Sequence, residues 1–268
     1  MTSTTAKGEF VGIGRHRIRV SVQGSGRPLL LINGIGANLD MWNPLLPALD
    51  AETIVYDAPG TGASSMPKVP LSVPQMAKVA IRLLDTLGFE QVDVLGVSLG
   101  GVVAQQLALS RPDRVRRLVL ASTTWGVGAV PGKWRAWATL LSPARYYVAG
   151  HYERHAPEFL GGRTGREPDL ARAYGTVRRS QPPHPVGHAF QLLGGATWST
   201  LPLLHRIKAP TLVVSGDDDP LVPPMNARII SWRIPNSELN IFPDGGHLVI
   251  FDSVDEVAPV LNEFLQRP

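Results

Sequence analysis

Gln91-Val92-Asp93-Val94-Leu95-Gly96-Val97-Ser98-Leu99-Gly100-Gly101 is the stretch on which the fold turns. Its β-branched, apolar first part predicts a buried strand over 91–97. The apolar run from Leu99, stopped before Pro112, predicts a helix to about Leu109. Between them lies Gly-x-Ser-x-Gly. A serine on so short a strand-to-helix turn sits at a strained backbone position. Small residues two before and two after it let strand and helix cross without a Cβ clash. The helix N-terminus behind Ser98 also aims N–H donors at developing negative charge. The pentapeptide alone equally fits a glycine-rich turn holding an ordinary serine. The strand before it and the helix after it make Ser98 a candidate nucleophile.

Working outward, strand and helix signals alternate. Strands are predicted over 17–22, 28–32, 53–56, 115–121, 210–216 and 238–242, several as continuous apolar runs that suit burial on both faces. Ser72 with Gln75 predicts a capped helix that ends at Gly88, and Ser253 with Glu256 predicts a capping box opening a final helix to about Gln266. A further helix is expected over 224–234. This alternation predicts an α/β fold, a mostly parallel sheet with helices on both faces. It breaks after Trp125. Residues 126–206 hold Gly-Gly and Pro-Pro breakers, helical pieces such as 134–141, and three of the six Trp. The chain is therefore read as a core of residues 1–125 and 207–268 with an inserted helical cap at 126–206.

Composition narrows the chemistry. The 268 residues include no Cys, which excludes a thiolate nucleophile, a disulfide scaffold and Cys-based metal sites. No zinc-finger or RNA-binding signature accompanies the net charge of +4, and the arginines are scattered, so no nucleic-acid partner is expected. The N-terminal residues are polar, with no signal-peptide stretch and no membrane-spanning run anywhere, so the expected location is cytoplasmic. Asp57-Ala58-Pro59-Gly60-Thr61-Gly62 fits neither a Walker loop nor a dinucleotide fingerprint.

A serine hydroxyl needs a base. Of the seven His, His16 falls in an early strand and His151, His155, His184, His188 and His205 fall in the inserted segment. His247 follows Pro243-Asp244-Gly245-Gly246, in a loop beyond the last strand, where a side chain can reach back over the carboxyl edge of the sheet to Ser98. The chain order Ser, Asp, His predicts an acid in a loop after a strand. Asp217, Asp218 and Asp219 all qualify. Asp219 is preferred, because Pro220 biases it toward extended backbone. Asn33-Gly34-Ile35-Gly36-Ala37 follows a buried strand, so the amides of Ile35 and Leu99 are the expected oxyanion donors, with Asn33 ordering the loop. In the cap, Trp134, Trp137, Phe159, Phe190, Leu192, Leu193 and Trp198 suit an apolar groove or, equally, the glue between cap and core. Asn33, Trp134, Trp137, Trp198 and Leu248 are the expected substrate contacts.

Together these residues resemble the α/β-hydrolase superfamily over about 27–266, which implies an eight-stranded sheet. Asn33-Gly34-Ile35-Gly36-Ala37-Asn38-Leu39, Val130-Pro131-Gly132-Lys133, Ser142-Pro143-Ala144-Arg145-Tyr146 and Ser231-Trp232-Arg233-Ile234-Pro235-Asn236 resemble the intracellular medium-chain-length polyhydroxyalkanoate depolymerases. Two of these motifs lie in the cap. The resemblance implies a Ser98–Asp219–His247 triad. It implies hydrolysis of storage polyesters with aliphatic side chains, without metal or cofactor, and contact with a polymer granule surface. Leu99 departs from that family, which often carries Trp there, at the border of the acyl pocket. The alternative is a carboxylesterase, lactonase or thioesterase for small soluble acyl substrates.

Overall fold

The computed structural model describes residues 8–268. The reading of residues 1–7 as free of a targeting segment falls outside them. Eight strands form one sheet: β1 (Glu9–Ile13), β2 (His16–Gln23), β3 (Pro28–Ile32), β4 (Glu52–Tyr56), β5 (Val92–Val97), β6 (Val115–Ala121), β7 (Thr211–Gly216) and β8 (Ser237–Phe242). Their order is β1-β2-β4-β3-β5-β6-β7-β8. β2 runs antiparallel to β1 and β4, and every other pairing is parallel. Strand β1 is the one the sequence reading missed. Its residues are mostly exposed, so its hydropathy carries little signal and its register is set only by pairing with β2.

Helices α1 (Val73–Leu87) and α2 (Leu99–Ser110) precede the insertion. Within it run α3 (Trp134–Leu141), α4 (Ala144–Tyr147), α5 (His151–Phe159), α6 (Gly162–Arg166), α7 (Pro168–Ser180) and α8 (Pro185–Gly195). Then come α9 (Pro224–Arg233), α10 (Val249–Asp252) and α11 (Val254–Gln266). The two-residue period of the strands divides the interior. Leu29, Leu31, Val55, Leu95 and Val97 face one core, shared with α11 and the insertion. Leu30, Ile32, Ile54, Val92 and Val94 face the other, shared with α1 and α2. The capping box at Ser72 and Gln75 is formed, and Gly88 ends α1 in the left-handed conformation. The box expected at Ser253 and Glu256 is not. Short helix α10 runs directly into Ser253, whose hydroxyl donates to Asp252 Oδ1 instead of capping α11. Among the described residues no helix is long and apolar enough to cross a membrane.

The insertion leaves the sheet between β6 and β7, and its two stems are zipped together. Gly126 and Ser199 form an isolated bridge, Val127 N donates to Trp198 O, and Thr200 N donates to Trp125 O. Gln105 of α2 ties this stem to the core by donating to Thr124 O and accepting from the Thr200 hydroxyl. A second anchor lies at Gly161-Gly162. A Cβ at Gly161 (φ +59°) would stand 2.0 Å from Asp218 O, and one at Gly162 (φ +55°) would stand 2.0 Å from Gly246 N. The backbone there crosses the loops that follow β7 and β8 at a distance only glycine allows. Around the crossing, Gly162 N and Arg166 donate to Asp218 Oδ2, His247 N donates to Leu160 O, and Asp252 Oδ2 accepts from the amide and hydroxyl of Thr164.

Two outcomes follow for stability. Gly161→Val adds a β-branched side chain at positive φ against backbone, so it is expected to cost at least about 2 kcal/mol, read as a lower urea midpoint. His188 of α8 is 3% exposed, with Nε2 3.2 Å from Leu140 O. Burial first, and then the Arg145 charge, push its pKa down to about 4. Between its ordinary value near 6.5 and about 4, the unfolded chain binds a proton that the folded chain refuses. Stability should therefore fall as pH drops through that window, by roughly 3 kcal/mol in all. His188→Gln should flatten that part of the curve of urea midpoint against pH.

Candidate active site

Ser98 stands at the end of β5 and the start of α2 with φ +54° and ψ −121°. The turn is fastened on both sides: Ser98 N donates to Ala121 O, and Ser98 O accepts from Gly101 N and from the Thr123 hydroxyl. A Cβ at Gly96 would lie 2.3 Å from Gly100 O, and one at Gly100 would lie 2.1 Å from Ile32 O. The small residues on either side are therefore a steric requirement of the crossing between β5, α2 and β3.

The loop after β7 carries the three aspartates. Asp217 and Asp218 are exposed, and Asp218 is spent on the clamp to Gly162 and Arg166. Asp219 is buried. Its Oδ1 accepts from the amides of Leu221 and Val222, and its Oδ2 lies 2.8 Å from His247 Nδ1. A carboxylate can only accept, so Nδ1 carries the proton toward Asp219 and Nε2 is left free for the cavity. That cavity is a recess of about 30 Å³ lined by His247 together with Ser98, Asn33, Ile35, Phe159 and Leu248. Of the other histidines, His151 and His155 lie against each other with tilted rings, and His188 is held by Leu140 O.

Ile35 and Leu99 also border Ser98, and among the described residues neither amide is taken by a hydrogen bond. The loop that carries Ile35 is held from several sides. Asn33 Nδ2 donates to Asn38 O, Gly36 N donates to Gln191 Oε1, and the Tyr146 hydroxyl donates to Ile35 O. Two of these partners belong to the insertion, so the insertion fixes the shape of the loop.

A second cavity of about 520 Å³ also borders Ser98, lined by Leu99, Val102, Val130, Trp137, Leu192 and Val222 among others. Its mouth is apolar: Val127, Trp137, Leu141 and Leu193 line it and remain exposed to solvent. Of the expected contacts, Asn33, Trp137 and Leu248 reach one cavity or the other. Trp134 and Trp198 reach neither. Trp134, on the first turn of α3, turns outward and is 74% exposed, while the helix buries Ala136, Thr139 and Leu140 and holds Trp137 and Leu141 at the rim of the cavity. Trp198 lies past the end of α8, in the stem, packed against the core. Phe190 faces a separate small pocket beside α1. Sequence reading missed Leu221 and Val222, which follow Asp219 directly. It also missed Arg145 and Arg178, which line the recess. Among the described residues no group of three or more His, Asp or Glu stands close enough to hold a metal ion.

A family model for the alpha/beta hydrolase fold matches residues 27–254. The chain is 45% identical over 242 residues, 90% of its own length and 84% of the relative's, to poly(3-hydroxyalkanoate) depolymerase of Ectopseudomonas oleovorans. It is 30% identical over 229 residues, 80% of each chain, to 3-oxoadipate enol-lactonase 2 of Acinetobacter baylyi. Among solved structures, a thermophilic esterase from Thermogutta terrifontis matches with a TM-score of 0.82 at 25% identity, covering 97% of this chain and 98% of that one. With a serine on a strained strand-to-helix turn and a carboxylate-bound histidine on the same cavity, the chain belongs to the alpha/beta hydrolase family, is similar in sequence to a poly(3-hydroxyalkanoate) depolymerase, and is a carboxylic ester hydrolase.

Proposed function

We propose that the chain is a serine esterase that depolymerises polyhydroxyalkanoate with medium-length aliphatic side chains. Ser98 Oγ attacks the ester carbonyl and His247 Nε2 takes its proton. Asp219 holds the imidazole and stabilises its charged form. The amides of Ile35 and Leu99 receive the oxyanion. The proton then passes to the departing alkoxide, leaving an acyl-enzyme on Ser98. Water, activated by the same imidazole, releases the acid. Two backbone amides on Asp219 Oδ1 leave Oδ2 for His247 alone, which suits an orienting role.

The observation that carries the polyester reading is the apolar cavity of about 520 Å³ beside Ser98, within the range that takes ligands with long apolar parts. Leu99 at its border is smaller than Trp, so it leaves room for the side chain next to the scissile carbonyl. The exposed Val127, Leu141 and Leu193 at the mouth, with Trp134 outside it, support contact with the surface of a polymer granule. The inserted helices act as the cap that frames both cavities.

Ser98→Ala should lower ester hydrolysis by at least about a thousandfold while leaving the thermal unfolding transition in place. Near-normal turnover in that variant would sink the mechanism. On the wild-type chain, release of acid from a latex of medium-side-chain polyester should proceed well above that from a short-side-chain polyester. Rapid cleavage of soluble acyl esters with an inert latex would instead assign the chain to small substrates.

A further inference from the structure

The recess beside Ser98 and His247 holds two guanidinium groups that the ester chemistry above does not use. Arg145 of α4 is 1% exposed and Arg178 of α7 is 7% exposed, and both line the recess. Among the described residues neither forms a salt bridge to any carboxylate. Arg145 Nη2 donates to the Tyr146 hydroxyl and the phenol oxygens of Tyr146 and Tyr152 stand near Arg178, but Arg145 Nε, Arg178 Nε and Arg178 Nη1 are buried with no hydrogen-bond partner. Aromatic faces stand where counter-ions would be expected: Tyr146 4.5 Å and Phe159 5.4 Å from the Arg145 guanidinium carbon, and Tyr152 5.6 Å from that of Arg178. Cation–π contacts offset only part of the cost of burying two neighbouring cations. The nearby His188 is neutral and adds no negative charge. Two buried cations with unpartnered donors, lining a recess that also holds Ser98, form a site for an anion. Planar guanidinium groups favour a carboxylate.

We propose that Arg145 and Arg178 bind the free carboxylate at the end of a polyester chain, so that the enzyme releases the terminal hydroxy acid. This assignment rests on the polyester reading above and deepens it. In a chain of 3-hydroxy acids, the terminal carboxylate carbon lies four bonds from the last ester carbonyl carbon, roughly 5 Å in extended form. The recess, at about 30 Å³, has room for a group the size of a carboxylate or about two waters, and none for an alkyl chain. The carboxylate therefore enters the recess and the aliphatic side chains lie in the apolar cavity. Ser98 Oγ bonds to the last ester carbonyl, and the bond from that carbon to the alkoxy oxygen of the terminal unit breaks. The proton held by His247 moves to that oxygen, and the terminal 3-hydroxy acid leaves with its carboxylate on the arginines. Arg145 is also joined through the Tyr146 hydroxyl to Ile35 O, so the bound carboxylate is coupled to the loop that carries the Ile35 amide.

The test compares the linear dimer of 3-hydroxyoctanoate with its terminal methyl ester at about pH 8, where the free acid is ionised. Cleavage of the internal ester is followed by chromatography. The wild-type chain should cleave the free acid with kcat/KM at least about tenfold above the methyl ester, and Arg178→Met and Arg145→Met should bring that ratio toward one. Equal rates on the two dimers in the wild-type chain would overturn this proposal and leave the esterase reading standing. No cleavage of either dimer or of polymer would remove that reading and the proposal with it. An undiminished ratio in both variants would overturn the assignment to these arginines. Because a buried arginine variant can lose its fold, the wild-type chain carries a second readout. Against hydrolysis of a neutral nitrophenyl ester, 3-hydroxyoctanoate should inhibit competitively at least about tenfold more strongly than its primary amide. Equal inhibition would likewise overturn the proposal.

Discussion

A non-glycine residue held at φ +54° and ψ −121° costs roughly 1–3 kcal/mol, and it persists only where its surroundings leave no other path. At Ser98 those surroundings are three parallel strands and one helix. β5 delivers the chain to the edge of the sheet, α2 must leave at once to cover the core face, and β3 passes so close that only hydrogen fits at Gly100. The strain is distributed into the whole sheet: Ser98 N bonds to β6, and Ser98 O bonds to Thr123 just beyond it. A hydroxyl is thereby raised above the carboxyl edge, where the loops after β3, β7 and β8 also end. The loops bring the Ile35 amide, the Asp219 carboxylate and the His247 imidazole to that edge because the parallel sheet puts all their starting points on one side.

The insertion does more than cover this edge. Its Gly161-Gly162 crossing is pinned to the loops of Asp219 and His247, while Gln191 and Tyr146 hold the loop of Ile35. It therefore ties the loops that carry these groups to one another. It also divides the space over Ser98 into a small charged recess and a large apolar cavity. That division gives the two sides of an ester different surroundings.

The parts of this arrangement that the sequence disclosed are those whose chemistry is local. Buried parallel strands announce themselves as continuous apolar runs. The serine turn needs small residues at fixed offsets, and both loop residues follow a strand end and sit among Gly, Pro and Asp. The preference for Asp219 over its two neighbours rested on Pro220 alone. In the structure Asp219 is the buried one, while Asp218 turns outward to the clamp. What stayed hidden depends on tertiary contact. Strand β1 has an exposed, weakly patterned sequence and is defined by its partner. The capping box at Ser253 was lost because a preceding helix occupied its approach. Trp134 and Trp198 have the composition of groove residues, but one turns outward from α3 and the other fills the stem. Aromatic content cannot tell a lining residue from a packing one.

Arg145 and Arg178 show the limit from the other direction. In the sequence they are two arginines among many, in a segment whose helices are short and broken. Charge count gives them no distinction, and most arginines of this chain are paired or solvated, as Arg114 with Asp85 and Arg116 with Asp93 illustrate. Their meaning comes from what the fold withholds. α4 and α7 bury them against aromatic rings, and no carboxylate among the described residues reaches them. Burial of an uncompensated charge costs several kcal/mol, and a fold that spends this beside Ser98 gains from it only when an anion arrives. The same low-dielectric setting that makes the empty pair costly makes its attraction for a carboxylate strong. A recess too small for an alkyl chain and too charged for an apolar one then fixes which end of a substrate can enter. Specificity for a chain end needs no additional residue: it follows from placing two unpaired cations in one cavity beside Ser98 and apolar side chains in the other.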